Sequence, residues 1–224
     1  MTALQVKLAR PKCGRLFLKF RDVDFILDDE SYFTLSNTTL AGNDQFYSDD
    51  IQKTPTDVKN KMKAKYESKL LVWVAVSPRG MSSVKFFKSG LAINQYIYRD
   101  ECIRKRLIPF INKYYRDGKY VFWPDLASSH YANSVHADLR DKKVNFVQKQ
   151  DNPANVPKVR PIEDFWGFLK QKVYEKDWQA KTITQLKARV SLCLRNLDKD
   201  LIHRTFSSVH KRLDFVRRNG IEKL

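Results

Sequence analysis

Apolar residues are spaced in two ways along this chain, and the switch between them separates strands from helices. Residues 23–27, VDFIL, form a short apolar run followed at once by Asp28, Asp29 and Glu30, and an extended pattern resumes at 32–35. Residues 70–76, LLVWVAV, are a β-branched and aromatic run closed by Ser77-Pro78-Arg79-Gly80. That is a turn sequence, after which 83–87 returns as the other arm of a hairpin. The first third of the chain therefore predicts antiparallel strands. Between them, residues 42–69 are polar and turn-rich, with Lys59, Lys61, Lys63 and Lys65 alternating as on one face of a strand. This stretch reads as a surface insertion.

From residue 93 the spacing lengthens to threes and fours. Ile93, Ile97, Ile103, Leu107, Ile111 and Tyr114 fall close to one helical face, and Pro109 is expected to end or kink that helix. A strand over 120–123 stops at Pro124-Asp125, a helix follows over about 129–140, and 145–147 is a short strand. Strand, helix, strand implies a parallel crossover. Three prolines make 148–161 a loop, and Pro161 suits the first position of a helix with Glu163 and Asp164 in its first turn. Thr182 and Gln185 form a capping-box pattern before Ile183, Leu186, Val190, Cys193 and Leu197. A last amphipathic helix is predicted over 200–219. The whole order predicts an α/β fold: one mixed sheet, antiparallel strands first and parallel later, flanked by helices and ending in a helical C-terminal tail.

Composition adds a partner. With 224 residues, 42% of them hydrophobic, the chain can bury a sizeable core, which excludes wholesale disorder. Its 42 Lys and Arg against 25 Asp and Glu leave 42 − 25 = +17, a balance that points to a polyanion such as nucleic acid. The longest apolar run, 70–76, is far short of the roughly 20 residues a membrane helix needs, so no membrane partner is expected. The basic N-terminus lacks the apolar core of a secretory signal. Cys13, Cys102 and Cys193 are odd in number and form no CxxC pair, which argues against a disulfide framework or zinc site and for reduced, intracellular thiols.

Three acids stand where elements are predicted to end or begin: Asp29, Asp125 and Glu163. Strand ends of open α/β sheets gather sites, and carboxylates converging there from separate elements suit hard cations such as Mg²⁺. Each also has an ordinary local use, Asp29 in a turn, Asp125 capping a helix and Glu163 complementing a helix dipole. Trp73, Trp123, Trp166 and Trp178 read as core, and His136, His203 and His210 lack metal-ligand spacing. Arg189 and Arg195, with Arg204, Arg212, Arg217 and Arg218, are candidates for phosphate contacts on the helical tail.

The strings DDESYFTL at 28–35, VWVAVSPRG at 72–80, PDLASSHYA at 124–132 and RPIEDFWGFLKQKV at 160–173 resemble, in order, the landmarks of mariner-type DDE transposases. The resemblance covers about residues 20–219 and implies a ribonuclease H-like fold. It makes Asp29, Asp125 and Glu163 the catalytic and metal-holding triad. The separation, 163 − 125 − 1 = 37 residues, resembles the branch whose third acid is Glu. The family's chemistry implies two Mg²⁺ or Mn²⁺ ions, hydrolytic DNA cleavage and strand transfer without a covalent enzyme intermediate, and no small-molecule cofactor. The implied partners are transposon-end and target DNA and, as a candidate assembly, a second copy of the chain; the implied location is the nucleus. His130, five residues after Asp125 on the predicted helix, is an auxiliary candidate. Lys59, Lys61, Lys63 and Lys65 fall where the family carries an insertion that can clasp a partner subunit or DNA.

Two departures bear on function. Many relatives have Gln-Asp-Asn around the second acid where this chain has Pro124-Asp125-Leu126, so support for Asp125 is expected to differ. The family also places paired helix-turn-helix modules before its catalytic domain. Residues 1–20 here read as a remnant of the intervening linker and 21–224 as the catalytic domain, with the end-recognition region absent. The alternatives are a catalytically silent, transposon-derived DNA-binding or interaction protein, and a ribonuclease H-like nuclease.

Overall fold

The computed structural model describes residues 2–36, 48–55, 68–88 and 90–224. Lys59, Lys61, Lys63 and Lys65, and most of the predicted insertion, lie outside the described residues. The chain opens with helix α1, Ala3–Lys19, followed by strands β1, Asp24–Thr34, β2, Lys69–Ser77, β3, Gly80–Met81, and β4, Lys85–Phe87. Helix α2 has three abutting segments, Gln95–Ile97, a π-wound Tyr98–Leu107, and Ile108–Tyr114. Then come β5, Tyr120–Trp123, α3, Asn133–Asp141, α4, Ile162–Val173, α5, Ile183–Arg195, α6, Lys199–Ser207, and α7, Val209–Asn219. No helix among the described residues is long and apolar enough to cross a membrane.

The strands form one mixed sheet in the order β3-β2-β1-β5, with β4 also on β2. The β1–β2, β2–β3 and β2–β4 pairs are antiparallel and β1–β5 is parallel, as the sequence predicts. Side chains alternate across it. Phe25, Leu27 and Phe33 of β1, with Leu70, Val72, Val74 and Val76 of β2, enter a core shared with α1 and α4 to α7. Ile26, Leu71, Trp73 and Ala75 enter a second core under α2 and α3. With helices on both faces, β2 is apolar at nearly every position rather than at every second one, hence its unbroken run in the sequence. Gly80 turns the β2–β3 hairpin with φ at 133°, a backbone that side chains resist.

The structure departs from the sequence pattern in identifiable places. The acids at 28–30 do not end the first strand. β1 runs through them because its register with β2 continues from Leu27↔Val76 to Thr34↔Lys69. Pro109 does not end α2. The Ile108 N–H reaches back five residues to Ile103 O, and this wider winding relieves the clash between a proline ring and the carbonyl four residues behind it. The second crossover strand is a single bridge, Phe122↔Phe146. The tail helix breaks into α6 and α7 at Ser208.

Within residues 1–20, the stretch read as linker, Ala3–Lys19 form α1. Its Ala9, Cys13 and Leu16 join the first core with Val209, Leu213 and Val216 of α7. The Arg10 guanidinium donates to the carbonyls of Arg217 and Arg218 at 2.9 and 3.0 Å, satisfying the end of α7. A side chain at Gly14 would meet Arg217 Cγ at 3.2 Å, so a small residue there permits close helix contact.

Candidate active site

The parallel ladder between β1 and β5 ends at Leu27↔Trp123. Pro124 has no N–H with which to extend it, so the strands part there, each with an acid two residues beyond the last pair: Asp29 and Asp125. Glu163 arrives in the first turn of α4. All three line one cleft of about 460 Å³, together with the loop at 152–157 and Arg160. Trp166, one turn after Glu163, donates its Nε1–H to Asp29 Oδ2 at 2.9 Å and so ties α4 to β1.

Carboxylate oxygens of Asp29, Glu30 and Asp125 lie within 4.8 Å of one another. Glu30 was not among the residues singled out from the sequence; its signal was the unbroken acidic tripeptide at 28–30. Glu163, exposed at the mouth of the same cleft, stands outside that tight group.

Asp125 does not cap the following helix. Its Oδ1 accepts the Ala127 N–H at 2.9 Å in a tight turn, and α3 starts only at Asn133. His130 therefore lies in the turn between, not on the predicted helix surface, and is 2% exposed. Its Nδ1 pairs with Asp125 Oδ1 and its Nε2 faces Glu30 Oε1 at 3.6 Å. The Tyr98 ring stacks on the imidazole at 3.8 Å between centroids, and Tyr98 Oη donates to buried Asp28 Oδ2 at 2.6 Å. Trp73 Nε1 donates to the same oxygen at 3.1 Å. These groups form a polar layer beneath the acids, carried by side chains whose spacing in sequence suggests only core.

Burial and crowding shape the charges. Burial, then the charges of Glu30 and Glu163, push Asp29 up to about 7, against the Glu30 N–H and Arg160, which pull it down. Burial pushes Asp28 up to about 6. For His130 burial is the largest influence and favours the neutral ring, but the carboxylates of Asp125 and Glu30 beside its two nitrogens, with the Asp28 charge, outweigh it and raise the group to about 10. Burial alone would raise Asp125; His130, the Ala127 N–H and Arg160 together hold it below the usual carboxylate range. The site is thus a crowded anionic cluster held from behind by one imidazolium and one guanidinium.

The other sequence candidates lie elsewhere. Arg189 Nε and Nη2 donate to Val173 O and Lys172 O at 3.2 Å, and its guanidinium lies 5.4 Å from the Trp178 ring centroid. It caps the end of α4. Exposed Arg195 shares a shallow groove with Trp178, Gln185 and Leu192, away from the acid cleft. Arg212 binds Lys158 O and Asp164, and Arg217 and Arg218 pair with Asp214. Trp73, Trp123 and Trp166 are buried, as predicted.

No protein-family model matches the chain. Among curated proteins it is similar to the Tc3 transposase of Caenorhabditis elegans, 24% identical over 196 residues that cover 87% of this chain and 56% of that protein. The chain thus spans about half the length of the curated relative it matches. Among solved structures, the mariner Mos1 paired end complex with Mg superposes with a TM-score of 0.78 at 16% identity, over 97% of this chain and 63% of that one. The catalytic domain of Mos1 mariner transposase superposes with a TM-score of 0.69 at 16% identity, over 97% of this chain and 94% of that one. The expected ribonuclease H-like mixed sheet is therefore present. The resemblance carried by the four strings is borne out: this chain has the catalytic-domain fold of the mariner-type transposases.

Proposed function

We propose that this chain is the catalytic part of a DNA transposase, cutting and rejoining DNA strands with divalent cations held by Asp29, Asp125 and Glu163. The observation that carries the reading is the convergence of these carboxylates, from two parting strands and one helix start, on a single cleft. The donor set fits a hard cation: every candidate ligand is an oxygen. Carboxylate oxygens of Asp29, Glu30 and Asp125 lie within 4.8 Å of one another, close enough to share one cation. One buried oxygen of Glu30, Oε1, is faced only by His130 Nε2, at 3.6 Å, beyond hydrogen-bond distance.

Two Mg²⁺ or Mn²⁺ ions at such a site would activate the attacking hydroxyl and stabilise the leaving oxygen of a phosphodiester. The protein supplies position. Trp166 orients Asp29, Ala127 N–H and His130 orient Asp125, and the first turn of α4 presents Glu163. The +17 charge supplies affinity for the DNA backbone by displacing its counterions. Supporting this reading, Mos1 has been solved as a paired end complex with Mn, as one with Mg, and as a strand transfer complex. The proposal includes transposon-end and target DNA as partners, a nuclear location, and pairing of two copies as an arrangement to test.

Calorimetric titration of Mn²⁺ into the wild type, Asp29→Asn and Asp125→Asn tests the site, paired with nicking of plasmid DNA. Binding that both substitutions weaken, with nicking that both abolish, is expected. Salt-sensitive DNA binding with neither Mn²⁺ binding nor nicking would overturn the catalytic reading in favour of a silent DNA-binding protein.

A further inference from the structure

Where the β1–β5 ladder stops, the carbonyls of Asp28, Trp123 and Pro124 face the gap between the parting strands. One guanidinium bridges it. Arg160 Nη1 donates to Trp123 O and to Pro124 O, each at 3.2 Å, and Nη2 donates to Asp28 O at 3.1 Å. The guanidinium also lies over the Trp123 indole, 5.2 Å from its centroid. Asn152 fastens the same turn from the loop. Its Nδ2 donates to Pro124 O and Tyr131 Oη at 2.8 Å, and its Oδ1 accepts Trp123 Nε1–H at 2.7 Å. Both side chains are nearly closed to solvent, 9% exposed for Arg160 and 2% for Asn152.

The placement of these bonds is what matters. Asp28 immediately precedes Asp29, and Pro124 immediately precedes Asp125. The third acid is tied in as well, because Glu163 N–H donates to the backbone oxygen of Arg160 at 3.3 Å. One residue therefore contacts all three acid-bearing segments at the backbone. The supply of support from a residue 35 positions downstream of Asp125 (160 − 125 = 35) also accounts for a second-acid string that carries Pro124 and Leu126, neither of which has a polar side chain.

We propose that Arg160 is a positioning residue that sets the mutual placement of Asp29, Asp125 and Glu163, with Asn152 steadying the Asp125 turn. This deepens the metal-site reading and rests on it only for the cation arm of the test below. The planar fork of a guanidinium can serve carbonyls on two strands at once, whereas a lysine ammonium keeps the charge without the geometry. That difference separates a clamp from a counter-charge.

Arg160→Lys and Arg160→Gln are compared with the wild-type chain by amide hydrogen exchange and by Mn²⁺ binding followed through the free-Mn²⁺ electron paramagnetic resonance signal. Both variants are expected to speed exchange over residues 28–30 and 124–127 while β2 keeps its protection. Both should weaken Mn²⁺ binding about 10- to 100-fold, the usual effect of losing a group that orients a ligand, with Lys no better than Gln. Unchanged exchange in those segments overturns the proposal, as does Arg160→Lys binding Mn²⁺ like the wild type. If neither variant folds, Asn152→Ala decides. Exchange should rise over 124–127 but not over 28–30, where Arg160 still holds Asp28 O; an equal rise in both overturns the cross-strand tie. Wild-type Mn²⁺ binding that ignores Asp125→Asn would count against the metal reading alone, and the exchange arm would then judge the clamp.

Discussion

The indole N–H of Trp166 donates to Asp29 Oδ2 at 2.9 Å, joining a helix and a strand that are 137 positions apart in sequence. Trp166→Phe would keep the edge contacts with Phe33 and Phe165 but leave a mostly buried carboxylate without its indole donor. The expected cost is about 1–3 kcal/mol in urea unfolding, with Mn²⁺ affinity falling about tenfold because Asp29 is no longer oriented. Unaltered Mn²⁺ affinity in a folded variant would contradict the orienting role.

Acid–base linkage makes a signed prediction for the metal-free chain. The folded pKa of Asp29, about 7, lies above the ordinary 3.8, so between those values the folded state holds a proton that the unfolded state has lost. Stability from this group therefore falls as pH rises from about 4 to 7, and the deficit is complete above 7. Asp28 acts the same way up to about 6. His130, raised from 6.5 to about 10, contributes stability that is full below 6.5 and lost as pH rises through 10. Urea midpoints measured from pH 4 to 8 should decline, and Asp29→Asn should flatten the decline and exceed the wild type in stability at pH 8.

Asp125 is partner to a buried imidazolium as well as a candidate ligand. Asp125→Ala should therefore abolish metal-dependent nicking and also destabilise the fold, because buried His130 loses its ion-pair partner. Asp125→Asn retains an acceptor for the Ala127 N–H and should lose nicking at a smaller cost in stability. Thermal melts beside nicking assays separate the two effects; wild-type stability of both variants would contradict the ion-pair role.

Arg189 and Arg195 are alike in sequence and unlike in structure. Because Arg189 satisfies two carbonyls at the end of α4, Arg189→Ala should lower stability by about 1–2 kcal/mol. Arg195→Ala, at an exposed position, should leave stability within about 0.5 kcal/mol. If Arg195 contacts phosphate, its loss lowers the salt slope of DNA binding by about one. An unchanged slope removes it from the DNA surface.

Leu16 tests the standing of α1. As a fully buried member of the first core, its truncation in Leu16→Ala should cost about 2–5 kcal/mol, measurable by urea unfolding. A cost below about 0.5 kcal/mol would return α1 to the status of a dispensable linker.

Much of this architecture is written locally. The apolar run at 70–76, the hairpin turn at Gly80, the Thr182 cap on α5 and the acids at 29, 125 and 163 depend on residues close in sequence, and strand period, turn chemistry and short motifs report them directly. The cap shows the limit of such reading: Thr182 accepts the Gln185 N–H as expected, but the Gln185 side chain accepts from Lys181 N, one residue beyond the box.

What the amino-acid sequence by itself determined was the alternation that builds a two-faced mixed sheet, the charge that calls for a polyanion, and the three acids. Tertiary structure alone decided which groups surround those acids. Arg160 reaches Asp28 across 132 positions, Tyr98 reaches it across 70, and Arg10 reaches the end of α7 across more than 200. No local period encodes such contacts. A buried guanidinium, imidazole or indole N–H must find a partner or carry a desolvation cost, but which partner it finds depends on where the sheet brings distant backbone together.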